Sequence, residues 1–384
     1  MRRRRGVKWH RYGGDVLPAW IADMDFAVAE PVRRALARLV EEGDYGYPAR
    51  EGEDGLEAAF ARRMRTRFGW EVDPEQVVPV ADLVQAIVAS VVAFSEPGDG
   101  VVVQTPIYPP FLNAISTTGR RRVFDPLVDD GRRLVMDPGS LEAVVDAGTR
   151  LLLLCNPHNP SGRVFERAEL EAAGRAAVEH DLVIVSDEVH CDLVYPGSTH
   201  IVLATMGPEV ARRTVTISSA TKSFNIPGLR CGVMHFGSEE LLARFRRAIP
   251  WRLLGTVGVT GVDATVAAWR EGQPWLDAVM EVLCGNRDQV AAWAAGLMPA
   301  IGHRPPEATF LAWLDCAGVT PGGVRPQEFF LERARVGLHS GVEFGPGGET
   351  CVRLNFATSP AILAEMLGRM TVAIERRGQL PSSR

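Results

Sequence analysis

Apolar positions in this chain come in two textures, short unbroken runs and longer stretches in which they recur every three or four residues. The unbroken runs predict strands over 100–104, 151–155, 182–186, 214–218 and 230–235. Continuous Val, Ile and Leu with little polar alternation suits strands covered on both faces, as in a mostly parallel sheet. The periodic stretches predict helices over 31–42, 55–68, 83–94, 167–180 and 239–248. Strands and helices alternate, which predicts an α/β fold with a doubly wound, mostly parallel central sheet between helices. After about residue 275 the pattern changes to one long helix over 275–297, then shorter strands and helices. The expected organisation is a large domain over 43–275 and a smaller α+β domain built from 1–42 and 276–384. No internal repeat, low-complexity tract or Gly/Ser linker divides the chain.

Composition narrows the classes of function. With 46% apolar and 23% charged residues among 384, the chain is globular in type. Its 42 basic and 47 acidic side chains give a net charge of −5, which argues against unspecific nucleic-acid binding. The four arginines at 2–5 resemble the head of a signal peptide, but 6–15 is polar, so export is not expected. The longest apolar stretch, 77–94, is interrupted by Pro79, Asp82, Gln85 and Ser90, so no membrane span is expected. Cysteines at 155, 191, 231, 284, 316 and 351 form no CxxC pair. That spacing fits reduced thiols in the cytoplasm, with neither a disulfide frame nor a metal site. Lysine is nearly absent: Lys8 and Lys222 stand against 40 arginines. An amine can lose its proton and form a Schiff base, which a guanidinium cannot. Lys8 reads as a chance survivor, whereas the surroundings of Lys222 give it a chemical meaning.

Those surroundings repeat a theme, because polar residues cluster just beyond the predicted strand ends, where open α/β sheets bind ligands. After 151–155 comes Asn156-Pro157-His158-Asn159-Pro160-Ser161-Gly162, in which two Asn-Pro steps and a glycine force an ordered loop. After 182–186 comes Asp187-Glu188-Val189-His190. A carboxylate at a buried strand end needs a cation or N–H partner, or else caps a helix. After 214–218 comes Ser219-Ala220-Thr221-Lys222-Ser223, with Arg230 eight residues beyond the lysine. Hydroxyls and an arginine suit a phosphate, and the lysine suits an aldehyde.

Together these segments resemble the fold-type I pyridoxal-phosphate enzymes of the aspartate aminotransferase superfamily, over nearly the whole chain. Within it, Leu17-Pro18-Ala19-Trp20-Ile21-Ala22-Asp23-Met24-Asp25-Phe26, the 156–162 loop, Asp187-Glu188-Val189-His190 and Arg353-Leu354-Asn355-Phe356 are most similar to the MalY/PatB-type cystathionine β-lyase branch. The resemblance implies pyridoxal 5'-phosphate as cofactor and Lys222 as the lysine that holds it as an aldimine and later moves a proton. It implies Asp187 on the pyridine nitrogen, Tyr108 on the ring face and Asn159 on the phenolic oxygen. His190 would stand at that oxygen's side, where aminotransferases of this fold often carry tyrosine. Ser219, Arg230 and the backbone N–H groups of Asp82 and Leu83 would hold the phosphate. Tyr47 would reach the neighbouring active site of a homodimer. Arg353 would clamp the α-carboxylate of a small amino-acid substrate, with the backbone near Ala22 assisting.

Two features depart from the family pattern. Asp82 stands where many relatives have glycine, and an acid beside a phosphate is unfavourable unless its side chain turns away. The segment 249–255 is atypical of the branch. The implied activity is carbon–sulfur β-elimination from cystathionine or a cysteine S-conjugate, giving a thiol, pyruvate and ammonia. Transamination remains open, as does decarboxylation or oxidative deamination of an S-conjugated cysteine in a specialised pathway. So does a non-catalytic binding module that keeps the cofactor.

Overall fold

The computed structural model of the chain describes residues 5–48, 55–137, 139–320 and 324–379; the arginines at 2–4 lie outside them. Its centre is a seven-stranded sheet in the order Val77–Val80, Gly232–Phe236, Thr214–Ser218, Val183–Asp187, Thr149–Cys155, Gly100–Thr105, Arg121–Pro126. Pairing is parallel from Thr214–Ser218 through to Arg121–Pro126. Gly232–Phe236 runs antiparallel to both of its neighbours.

The unbroken apolar runs have a simple cause, since both faces of these strands are covered. Val101, Val103, Leu151 and Leu153 pack with Ile87, Val91, Phe111 and Phe245 on one face. Val102, Leu152, Leu154 and Ile184 pack with Leu170, Ala173 and Ala177 on the other. Every residue of Gly100–Thr105, Val183–Asp187 and Thr214–Ser218 is buried, so no polar alternation can survive.

Several elements are not evident from the sequence pattern, and three of them flank the large sheet. Arg121–Pro126 and Val77–Val80 are the two edge strands of the sheet. The first opens on two exposed arginines. The second carries Pro79, which an edge position tolerates because one side of the strand needs no N–H donor. Helix Val259–Glu271 carries five β-branched residues and Gly261, a composition of modest helix propensity. Tertiary packing overrides that tendency. A Cβ on Gly261 would lie 2.5 Å from the Leu229 carbonyl oxygen, so the glycine lets this helix press against the loop leading to Arg230.

A second, four-stranded antiparallel sheet has the order Gly302–His303, Leu311–Asp315, Cys351–Asn355, His339–Ser340. The long helix Gln273–Ala295 and helix Pro360–Glu375 pack against each other beside it. The N-terminal segment joins this region, Leu17–Pro18 pairing in parallel with Val336–Gly337. Among the described residues, no helix is long and apolar enough to cross a membrane.

Candidate active site

Three parallel strands end side by side and deliver the loops singled out above. Asp187 is the last residue of its strand and lies opposite Cys155 and Ile217 in the adjoining ladders. Its carboxylate accepts the Val189 N–H at 3.1 Å, and no ion pair to a base forms among the described residues. Burial therefore pushes its pKa up to about 7, although the Lys222 charge nearby opposes the rise. His190 is buried on the same turn, with Nδ1 lacking any hydrogen-bond partner. Desolvation, aided by the charges of Lys222 and Arg353, lowers its pKa to about 3, so the ring is neutral.

Lys222 lies in the short helix Ala220–Ser223, capped by the Ser219 hydroxyl through the Thr221 N–H at 3.0 Å. Its Nζ donates to the Ala22 carbonyl at 3.0 Å. Burial, with the Arg353 charge second, lowers its pKa. Tyr108 caps helix Pro109–Thr117; burial raises its pKa, and Arg353, Asp187 and Asp82 all act on it through space. Asp187, His190, Lys222, Tyr108 and Arg353 thus share one electrostatic neighbourhood.

Arg353 occupies the centre of strand Cys351–Asn355 and is 2% exposed. Its Nη1 donates to Asn159 Oδ1 at 2.8 Å, and its Nη2 donates to the Trp20 carbonyl at 3.2 Å and to His339 Nδ1 at 3.0 Å. Nε has no partner. All three acceptors are uncharged, and burial lowers the guanidinium to about 10. A buried cation held only by neutral acceptors is an anion site, because the desolvation cost remains uncompensated until a counter-charge arrives. Asn159 directs its oxygen to Arg353, which leaves its amide N–H groups for another acceptor.

The backbone of 20–23 forms a strap of carbonyls across this site. Besides the Trp20 and Ala22 contacts, the Ile21 and Asp23 carbonyls accept from Asn355 Nδ2 at 2.6 and 2.7 Å. Ala22 presents its carbonyl to Lys222, so any contact of this backbone with a carboxylate would use an N–H group. Asn225 clasps the adjoining Met24 and Phe26 backbone. Neither Asn355 nor Asn225 is marked as a site residue by its local sequence, because each acts on backbone far away in the chain.

Lys8 requires a correction. Far from being a chance survivor, it is 2% exposed, and its Nζ lies 3.0 Å from Asp25 Oδ2 and 2.9 Å from the Asp23 carbonyl. Trp9 Nε1 donates to the other Asp25 oxygen at 2.7 Å. A compact ammonium fits between a carboxylate and a carbonyl where a planar fork does not. The lysine scarcity that singles out Lys222 applies equally to Lys8.

On the other side of the strand ends the site is open. Asp82 caps helix Leu83–Phe94, Oδ1 accepting the N–H groups of Val84 at 2.8 Å and Gln85 at 3.2 Å. Its Oδ2 lies 3.2 Å from Arg230 Nη2. The carboxylate has thus turned onto the helix end while still facing the arginine. No described residue accepts from the Asp82 or Leu83 N–H. The Ser219 hydroxyl donates to the Cys231 carbonyl at 2.5 Å, and Thr221 presents the neighbouring hydroxyl. Tyr47 is 91% exposed and touches none of these groups in the single chain. In the 249–255 segment, the Leu253 carbonyl accepts from Gln85 on that same helix at 3.1 Å.

A family model described as aminotransferase class I and II matches residues 21–370. The chain is 34% identical over 378 residues to cystathionine beta-lyase PatB of Bacillus subtilis, which covers 96% of this chain and 97% of that one. Among solved structures it is similar to OvoB, with a TM-score of 0.92 and 41% identity over 97% of each chain. It is also similar to cystalysin from Treponema denticola, a structure containing pyridoxal 5'-phosphate. That TM-score is 0.92, with 28% identity over 98% of this chain and 97% of that one.

Proposed function

We propose, from the premise that this chain belongs to the class I and II aminotransferase family, that it is a pyridoxal-phosphate-dependent carbon–sulfur β-lyase. Its substrate would be a cysteine S-conjugate or cystathionine, cleaved with water to a thiol, pyruvate and ammonia. The observation that carries the reading is Arg353, buried without a carboxylate partner among the described residues and beside a desolvated lysine amine.

The residues present fit the cofactor. Asp187 has a buried carboxyl with a raised pKa, which a cationic ring N–H would relieve. His190 Nδ1 is buried and unpartnered. Arg230 and the free N–H groups of Asp82 and Leu83 offer a helix N-terminus and a guanidinium for a phosphate. When bound, pyridoxal phosphate supplies an electron sink that makes the Cα proton of an attached amino acid acidic. Lys222 would hold it covalently, Asp187 would keep the ring nitrogen protonated, and Tyr108 would flank the ring.

The chain's own groups then divide the work. Arg353 binds the α-carboxylate and orients the Cα–H bond. Lys222, its pKa lowered by burial, carries the amine that takes the Cα proton. Asn159, with its oxygen held by Arg353, offers N–H donors on the opposite side. A thiolate departing from Cβ needs no acceptor keto acid, so one substrate suffices. Tyr47, largely in solvent, fits a reading in which a second copy of the chain completes the phosphate side.

The test is incubation with cystathionine, cysteine and S-alkylcysteines, with pyruvate, ammonia, thiol and carbon dioxide measured together. Thiol and pyruvate in equal amounts are expected. A keto acid formed only when a keto acceptor is added would make the protein an aminotransferase, and carbon dioxide would make it a decarboxylase.

A further inference from the structure

We infer that His339 is a positioning residue for this site: it aims the Arg353 guanidinium at the substrate carboxylate while leaving its charge unneutralised. The inference rests on the amino-acid reading above and extends it to how the carboxylate is recognised.

Arginine has donors only, so the 3.0 Å contact between Arg353 Nη2 and His339 Nδ1 fixes Nδ1 as the acceptor. The ring proton is then on Nε2, which lies 3.3 Å from a Glu343 carboxylate oxygen. Phe344 completes the holder. Its ring centroid is 5.1 Å from Arg353 Cζ and 4.8 Å from the centroid of the imidazole. Its carbonyl also accepts the Ile107 N–H at 2.8 Å, which ties the same turn to the loop that carries Tyr108.

The turn itself is knit too tightly to drift. A Cβ on Gly341 would lie 2.3 Å from the carbonyl oxygens of Gly348 and Cys351, and one on Gly348 would lie 2.0 Å from that of Gly341. Both positions require glycine, so His339 and Phe344 enter the site from a fixed backbone.

The choice of a histidine has a physical reason. An Asp or Glu in its place would hold the guanidinium more strongly, yet would cancel the charge the substrate needs and compete with its carboxylate. A neutral acceptor orients without cancelling. Burial is the main influence on the imidazole and lowers its pKa to about 4; the charges of Arg353 and Arg11 act in the same direction, and Glu343 opposes them. At neutral pH the ring therefore remains an uncharged acceptor.

The test uses the holoenzyme with two variants, His339→Leu and His339→Asn, the latter keeping an oxygen acceptor near the place of Nδ1. Losing one hydrogen bond to a charged group predicts about a 10- to 100-fold rise in KM for the leucine variant, with kcat within about threefold. The asparagine variant should return KM to within about threefold of wild type. Inhibition by an unreactive amino acid should weaken in step, and inhibition by the matching amine without the carboxylate should not. Nitrogen chemical shifts of the His339 ring should show the proton on Nε2. A leucine variant with unchanged affinity for the acid, equal losses for acid and amine, or a proton on Nδ1 would each overturn the assignment. Should no amino acid be turned over, the lyase reading fails, while the inhibitor pair and the ring shifts still decide His339.

Discussion

Arg353 and Arg230 are both assigned to anions, yet one is 2% exposed among neutral acceptors and the other has 62% of its side chain in solvent, 3.2 Å from Asp82. Around Arg353 the site is finished within the chain. Asn159, Trp20, His339 and Phe344 hold Arg353, and Asn355 and Lys8 hold the neighbouring backbone strap, so little reorganisation accompanies binding of a carboxylate. Around Arg230 the side chains are open, the helix end is capped by an acid from its own chain, and Tyr47 stands away from it. On the proposed function, recognition of an α-amino acid would thus be built into the buried half. On the same reading, affinity for the phosphate would be left to groups that the ligand and a second copy of the chain would bring together.

The largest effect should come from the link between the halves. Lys222→Ala should abolish pyruvate formation by several orders of magnitude and remove the borohydride-reducible visible band of the purified protein. An intact band would refute covalent attachment at this position. Arg353→Ala should raise KM by about 100-fold or more through loss of two charge-assisted contacts, with the cofactor retained. Equal loss of cofactor would mean that the two halves are not separable.

Lys8→Met should break the buried pair with Asp25 and destabilise the fold by about 3–5 kcal/mol, since an uncompensated carboxylate stays behind. Urea unfolding measures this, and the double variant with Asp25→Leu should recover most of the loss. The open half should respond more weakly. Asp82→Ala removes a helix cap worth about 0.5–2 kcal/mol, and it should also tighten pyridoxal phosphate binding, read by titration of the apoprotein, because the acid no longer pairs with Arg230. Weaker binding would instead make Asp82 a holder of that arginine.

A pH experiment sharpens the same contrast. The Asp187 carboxyl has a pKa raised to about 7 from an ordinary 3.8. Between those values the folded chain binds more protons than the unfolded one, so apoprotein stability should fall as pH rises through this window. In Asp187→Asn that contribution should vanish. Bound cofactor should also flatten it, because a ring N–H partner stabilises the ionised form. An apoprotein whose melting temperature ignores this window would argue against a desolvated, unpaired carboxyl.

Much of this was legible before any fold was known. The unbroken apolar runs and the strand-end polar loops gave the covered sheet, and lysine depletion beside a hydroxyl-rich loop isolated Lys222. The runs and loops are local, each contained in a window of about ten residues, and lysine depletion is a count over the whole chain that needs no fold. The edge strands were hidden because burial on one side only leaves room for Pro79 and for Arg121 and Arg122. Helix Val259–Glu271 was hidden because its packing, not its propensity, makes it a helix. Above all, the chain order carries no trace of the contacts that join Lys8 to Asp23, Trp20 to Arg353 or His339 to Arg353. Chemistry-bearing residue types announce themselves by composition and spacing. Which neutral acceptors surround a buried cation depends on segments 194 and 333 positions apart meeting at hydrogen-bond distance, and only the folded chain decides that.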